Sequence, residues 1–237
     1  PPLATLVLLP GLDGTGMLFD PFIAALGDGL RVEVLAYPAR PPLNYAELEA
    51  FAASKLPAQG PLVLLGESFS GPIAASLAAR HADRVLGLVL CCSFVSNPRS
   101  NLAVFKTLLN LAPVKAAPPR LLAALLYGRF ATPDGVAALG RALAAVPASV
   151  LRLRLRSVLE VDRTATFAAV TAPVLYLRAA RDRLVPEAAA ALVRKIQPGA
   201  RIRMYDGPHG LLQALPAETA RDVLAFVREV SGSVCLP

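Results

Sequence analysis

The chain has 237 residues, 55% of them hydrophobic and 17% charged, with a formal net charge of +7. A chain this apolar can offset the entropy cost of ordering by burial, so the composition excludes a disordered protein. Its apolar runs, such as residues 85–95, fall short of the roughly 20 residues that a membrane-spanning helix needs, so we expect none. Cys91, Cys92 and Cys235 suit neither a disulfide framework nor a metal site. We therefore expect a cytoplasmic protein without a bound metal.

Short β-branched or Leu-rich runs alternate along the chain with stretches of helical periodicity. This alternation is typical of βαβ units and a parallel sheet. The predicted strands are residues 4–9, 32–36, 62–66, 85–91, 174–178 and 201–205. The predicted helices are residues 21–26, 45–56, 69–80, 187–196 and 216–230. The expected fold class is α/β, with about six parallel strands flanked by helices.

One connection, between the fourth and fifth predicted strands, is far longer than an ordinary α/β crossover. Prolines divide it into four or five predicted helices. We predict that residues 96–165 form an inserted helical lid, and that residues 1–95 and 166–237 form the core. The run of alternating Leu and Arg at residues 151–156 could indicate a strand, but the apolar spacing across the longer window favours a helix.

The predicted lid contains ten Lys or Arg and three Asp or Glu, so its net charge equals the +7 of the whole chain. The simpler interpretation is that arginines solvate the outer faces of its helices. The alternative is an anionic partner, such as an acidic carrier protein. Nucleic acid is not expected, because the basic residues are dispersed, no aromatic stacking set accompanies them and Trp is absent.

The third predicted strand leads directly into Gly66-Glu67-Ser68-Phe69-Ser70-Gly71 and then into a helix. A serine at the apex of such a strand–turn–helix is typical of a nucleophile elbow, where small neighbours allow close packing. Ser70 stands where the usual pattern has a second glycine. Ser68 is the candidate nucleophile, although a serine in a glycine-rich turn can also serve only to form the turn.

A serine nucleophile needs a base and an orienting carboxylate. His209 follows the last predicted strand at the sheet edge expected for Ser68, whereas His81 closes the helix after the elbow. Asp182 follows the fifth predicted strand at the same edge. Asp162 is a rival that suits a helix cap in the return path of the predicted lid, and Asp206 lies close to His209 in sequence.

The first predicted strand ends in Pro10-Gly11-Leu12-Asp13-Gly14-Thr15-Gly16. The G-x-G-x-x-G pattern of a dinucleotide loop fails, because Phe19 occupies the third glycine position. We expect this turn to direct the Leu12 N–H at a developing oxyanion, together with the N–H of Phe69. A connecting turn with no catalytic role is the alternative.

Together these motifs, in the order Ser68, Asp182, His209, resemble the α/β-hydrolase superfamily over nearly the whole chain. The resemblance implies the strand order 2-1-3-4-5-6, an acyl-transfer enzyme that uses water, and no organic cofactor. The antiparallel strands that usually precede the oxyanion strand are absent.

The function expected is a serine esterase that cleaves small carboxylic esters with an apolar acyl group through an acyl-enzyme. The alternatives are a thioesterase acting on carrier-bound or coenzyme A-bound acyl groups, and a hydrolase-like binding protein with little turnover.

Overall fold

The computed structural model describes residues 3–99 and 114–232, so part of the predicted lid and Cys235 lie outside the described residues. Six strands form one parallel sheet in the order β2-β1-β3-β4-β5-β6. The strands are β1 (Thr5–Leu9), β2 (Val32–Val34), β3 (Leu62–Glu67), β4 (Val85–Cys91), β5 (Val174–Ala179) and β6 (Arg201–Tyr205). This order and the parallel pairing confirm the predicted sheet.

The central strands are apolar at consecutive positions because helices cover both faces of the sheet. On one face Leu62 and Leu64 pack with residues of the second, third and eighth helices. On the other face Val63 and Leu65 pack with residues of the first and last helices. At the edge of the sheet, β6 is largely exposed and carries arginines at positions 201 and 203.

The described helices are α1 (Asp20–Leu26), α2 (Tyr45–Lys55), α3 (Gly71–Arg80), α4 (Pro119–Leu126), α5 (Pro133–Ala144), α6 (Ala148–Glu160), α7 (Thr164–Ala168), α8 (Glu187–Ile196), α9 (Leu211–Ala214) and α10 (Pro216–Gly232). Local sequence explains several of their ends. Asn44 and Glu47 form a reciprocal capping box at the start of α2. Thr132 accepts the Gly135 N–H at the start of α5.

Four of the described helices, α4 to α7, lie between β4 and β5, and we call residues 92–173 the β4–β5 segment. The Leu-Arg run lies in α6, which confirms the helical interpretation of that window. In the described part of the chain, no single helix is long and apolar enough to span a membrane; only α5 and α6 taken together reach that length and composition, and they meet at a 99° bend.

The predicted strands and helices begin and end within two residues of the bounds that the structure gives them. β2 ends at Val34, two residues earlier than expected. The helix after the elbow begins at Gly71, because residues 68–70 form a separate 3₁₀ turn. The short helix α9 was not predicted, since four residues are too few to show a helical period.

Candidate functional site

Ser68 stands at a sharp turn between β3 and α3. Its φ of 48° is in the left-handed region, which is strained for a residue with a side chain. The turn also needs Gly66, because a Cβ there would lie 2.8 Å from the Cβ of Ala74 and 2.8 Å from the Ser70 carbonyl oxygen. The strained backbone and the close packing match the geometry of a nucleophile elbow.

A continuous chain of hydrogen bonds links the three predicted polar residues. The Nε2 of His209 lies 2.8 Å from the Ser68 Oγ, and its Nδ1 lies 2.8 Å from Oδ2 of Asp182. The side chains of His209 and Asp182 are each 6% exposed. Backbone N–H groups of Leu184 and Val185 donate to Oδ1 of Asp182 at 2.8 and 2.9 Å, which fixes the carboxylate. The structure therefore brings together Ser68, Asp182 and His209.

The rival residues lie elsewhere. His81 follows the last residue of α3, about 15 Å along that helix from the elbow. Asp162 is exposed and accepts hydrogen bonds from the Thr164 backbone and hydroxyl. Asp206 is exposed and forms ion pairs with Arg181 and Arg129. The hydrogen bonds and ion pairs of Asp162 and Asp206 therefore do not involve His209 or Ser68.

The glycine-rich turn after β1 lies beside Ser68, because a Cβ on Gly11 would be 4.0 Å from the Ser68 Cβ. The Gly14 N–H donates to the Gly11 carbonyl at 3.0 Å, which closes a tight turn around Leu12. We refer to residues 10–15 as the β1 turn. On the elbow side, the Tyr45 hydroxyl donates to the Phe69 carbonyl at 2.8 Å. The structure thus brings the β1 turn and the elbow together, as the predicted oxyanion site at Leu12 and Phe69 requires.

Ser70 has a role that its small size alone did not suggest. Its buried hydroxyl donates to the Pro10 carbonyl and lies 2.6 Å from the Tyr37 hydroxyl. Because the single Ser70 proton is used on Pro10, Tyr37 is the donor in the second bond. Ser70 therefore ties the elbow to the β1 turn, a function that a glycine could not perform.

Glu67, the residue before Ser68, is a buried carboxyl group. Burial raises its pKa to about 7, and the nearby Asp13 adds to the rise. A hydrogen bond of 2.9 Å from the Gln213 amide opposes it. The elbow pattern does not single out this position, because any residue can stand between the glycine and the serine of an elbow.

Arg154 in α6 corrects the expectation that the arginines of this segment solvate helix faces. It is 1% exposed and donates to backbone carbonyls of the β1 turn. Arg156 on the same helix is exposed and pairs with Glu160, as a solvated helix face requires.

The β4–β5 segment also contacts the loop that carries His209. The Gly210 N–H donates to the Leu126 carbonyl at 2.9 Å. A Cβ on Gly210 would lie 2.3 Å from the Tyr127 ring, so this approach requires glycine. Helix α4 thus packs directly on the His209 loop.

The described residues contain no group of three or more His, Cys, Asp or Glu placed to hold a metal ion. Cys91 and Cys92 are free and buried near the end of β4, and burial raises the pKa of both thiols. Protonated, buried thiols are poor nucleophiles, so Ser68 is the better candidate nucleophile at this edge of the sheet.

Comparisons with known sequences found a family model and a curated relative that match this chain. The sequence model described as the alpha/beta hydrolase family matches residues 6–223. The chain is 33% identical over 115 residues to phytyl ester synthase 1, chloroplastic, of Arabidopsis thaliana. That match covers 46% of this chain and 16% of the relative, so this chain spans only a small part of the relative's length.

Solved structures with the same architecture are more distant in sequence. A hydrolase from Pseudomonas aeruginosa gives a TM-score of 0.80 at 22% identity, covering 95% of this chain and 90% of the other. A carboxylesterase structure from the ammonia-oxidizing thaumarchaeon Nitrososphaera gargenis gives 0.82 at 14% identity, covering 98% and 92%. At such identities the likeness demonstrates a common fold.

Proposed function

The chain belongs to the alpha/beta hydrolase family, and from this premise we propose that it is a serine hydrolase that cleaves carboxylic esters through an acyl-enzyme. One observation carries the proposal: the unbroken hydrogen-bond chain from the Ser68 Oγ through His209 to Asp182, with both heavy-atom distances at 2.8 Å. Nucleophile, base and orienting carboxylate need this order and spacing.

In the proposed reaction the Ser68 Oγ attacks the ester carbonyl while its proton passes to Nε2 of His209. Asp182 accepts the Nδ1–H bond and stabilises the imidazolium that forms. The N–H groups of Leu12 and Phe69 donate to the oxyanion of the tetrahedral intermediate. His209 then protonates the departing alcohol, which leaves an acyl group on Ser68. Water, deprotonated by His209, attacks this ester and releases the carboxylic acid.

The proposed lid, residues 96–165, supplies a cover for the acyl group. Its helix α4 already packs on the His209 loop through Leu126 and Tyr127. The apolar faces of α4 and α5 pack on each other and on Leu18 next to the β1 turn. An apolar acyl chain is therefore the substrate class that suits this side of the site.

The proposal is tested with a fluorophosphonate probe and a panel of nitrophenyl esters of increasing acyl length. Ser68→Ala should abolish labelling and leave only residual turnover, because the oxyanion site and binding alone retain roughly 10³–10⁴-fold over water. His209→Ala should approach that defect, whereas the matched control His81→Ala should retain kcat/KM. Labelling that persists in Ser68→Ala would contradict the assignment. Stoichiometric labelling of the wild type without turnover of any ester would instead indicate a binding protein.

A second candidate function is transfer of the acyl group to an alcohol, or release from a thioester. The relative in Arabidopsis thaliana is named an ester synthase, and the net positive charge of residues 96–165 suits an acidic acyl carrier. Both reactions use the same acyl-enzyme and differ in its donor or acceptor. Supplying acyl thioesters with and without a long-chain alcohol separates them: ester product in water would favour transfer, and free acid alone would favour hydrolysis.

A further inference from the structure

Arg154 of α6 reaches from the β4–β5 segment into the protein beside the β1 turn. Its Nη1 donates to the carbonyl of Leu12 at 3.0 Å and to that of Asp13 at 2.6 Å. Its Nη2 donates to the Pro38 carbonyl at 3.3 Å. The guanidinium also lies over the Tyr37 ring, 5.6 Å from the ring centre.

The backbone around the Arg154 guanidinium leaves space for this group and supplies carbonyl acceptors to it. Gly14 has a φ of 70°, and a Cβ there would lie 2.3 Å from the Arg154 Nη1. No carboxylate forms an ion pair with Arg154 among the described residues, and the nearby Asp13 carboxylate is bonded to Thr15. Burying a cation on carbonyl groups costs free energy that an apolar side chain of similar size would avoid. The hydrogen bonds from Arg154 offset part of this cost and hold the backbone of the β1 turn in one geometry.

The backbone that they fix is the one that carries the proposed oxyanion donor. The Leu12 N–H belongs to the peptide between Gly11 and Leu12. The preceding peptide is held through the Pro10 carbonyl, which accepts from Ser70. The following peptide is held through the Leu12 carbonyl, which accepts from Arg154. Because each peptide is planar, holding the peptides on both sides restricts the direction of the N–H between them.

We propose that Arg154 is a positioning residue that aims the Leu12 N–H at the oxyanion, so that the oxyanion site is complete only when α6 of the β4–β5 segment is docked on the β1 turn. This inference rests on the proposed function. Arg154 does not touch the reacting atoms, and its effect is transmitted by the β1 turn.

The test compares Arg154→Met and Arg154→Lys with the control Arg156→Gln on the same helix. Loss of one oxyanion donor lowers kcat by about 10²–10³-fold in other enzymes, and a misdirected donor should cost at least about tenfold. We expect that loss in kcat for Arg154→Met, with KM changed only a few-fold, because the oxyanion exists only after attack. Affinity for a boronic acid, which forms a tetrahedral adduct with Ser68, should fall in parallel with kcat.

Three controls separate this role from a loss of folded protein. Endpoint labelling by the fluorophosphonate counts active sites, so kcat is expressed per labelled Ser68. Arg154→Lys retains the charge and should keep more activity than Arg154→Met. Guanidinium ion at millimolar concentration should restore part of the kcat of Arg154→Ala, which is a response that general destabilisation does not give.

Unchanged kcat per labelled site in Arg154→Met, or an equal loss in Arg156→Gln, would overturn the inference. Failure of guanidinium rescue, together with equal loss in Arg154→Lys and Arg154→Met, would also count against it. These results differ from failure of the proposed function, in which Ser68→Ala itself would retain turnover and labelling.

Discussion

Replacing Glu67 with Gln should remove a pH dependence of stability that this buried carboxyl group imposes. Burial raises its pKa from 4.5 to about 7, so the folded protein keeps the proton over a range in which the unfolded chain releases it. Below pH 4.5 both states are protonated and the stabilising contribution is complete. As pH rises from 4.5 to about 7 the contribution is progressively lost, and above that range the folded protein holds a buried carboxylate.

The size of the effect follows from the difference between the two pKa values. Each unit corresponds to 1.36 kcal/mol, so the pKa difference gives a loss of about 3 kcal/mol between low and high pH. Glutamine resembles the protonated acid in shape and can still accept from Gln213, so it should retain the contribution at every pH. Glu67→Gln should therefore gain about 2–3 kcal/mol relative to the wild type between pH 5 and pH 8.

The assay is urea unfolding of both proteins at several pH values, analysed as a difference so that other titrating groups cancel. Glu218→Gln, at an exposed position in α10, is the matched control, because it removes the same charge without a buried site. A constant difference between wild type and Glu67→Gln across this pH range would refute the reasoning. It would mean that the Glu67 carboxyl group exchanges with water more freely than its burial indicates.

The remaining predictions concern the other parts of the site. Asp182→Asn should lower kcat by about 10³–10⁴-fold because the imidazole loses its acceptor, whereas Asp162→Asn should leave esterase activity nearly intact; the reverse result would move the orienting role to Asp162. Ser70→Ala should lower the free energy of unfolding by about 2–3 kcal/mol, since the buried Tyr37 hydroxyl then lacks its acceptor, and a loss below ~0.5 kcal/mol in urea unfolding would contradict this. If the charge of residues 96–165 attracts anionic acyl carriers, kcat/KM should be higher for carrier-bound acyl groups than for neutral esters. This difference should shrink between ~0.01 and ~0.1 M salt, because the screening length falls from roughly 30 to about 10 Å. Equal dependence of kcat/KM on salt for the two substrate types would exclude the attraction.

Sequence patterns predicted the sheet because its central strands are buried on both faces and their apolar runs are continuous. The strand order came from the family resemblance, and the register of β1 with β3, which pairs Leu9 with Gly66, places the β1 turn beside the elbow. The strand ends also indicated where Ser68, Asp182 and His209 would lie, since parallel strands direct their carboxyl ends to one edge.

Contacts between distant segments were not predictable from local pattern. In the Leu-Arg run of α6, Arg154 and Arg156 each follow a leucine, and only the docking of α6 on the β1 turn buries Arg154 and leaves Arg156 exposed. Likewise, the elbow pattern accounts for the small size of Ser70, but the hydrogen bond of its hydroxyl depends on Tyr37, 33 residues away. Such polar contacts are set by tertiary packing, and propensity and periodicity do not encode them.

The central claim is that Ser68 becomes acylated during ester cleavage. The direct measurement is rapid mixing of the wild-type protein with a nitrophenyl ester, combined with intact-protein and peptide mass spectrometry of the quenched reaction. We expect a burst of nitrophenol approaching one equivalent when deacylation is slower than acylation, and one acyl group located on the peptide that contains Ser68. Hydroxylamine should remove that group, and Ser68→Ala should show neither the burst nor the adduct. An acyl group on another residue, or turnover in Ser68→Ala equal to the wild type, would contradict the account.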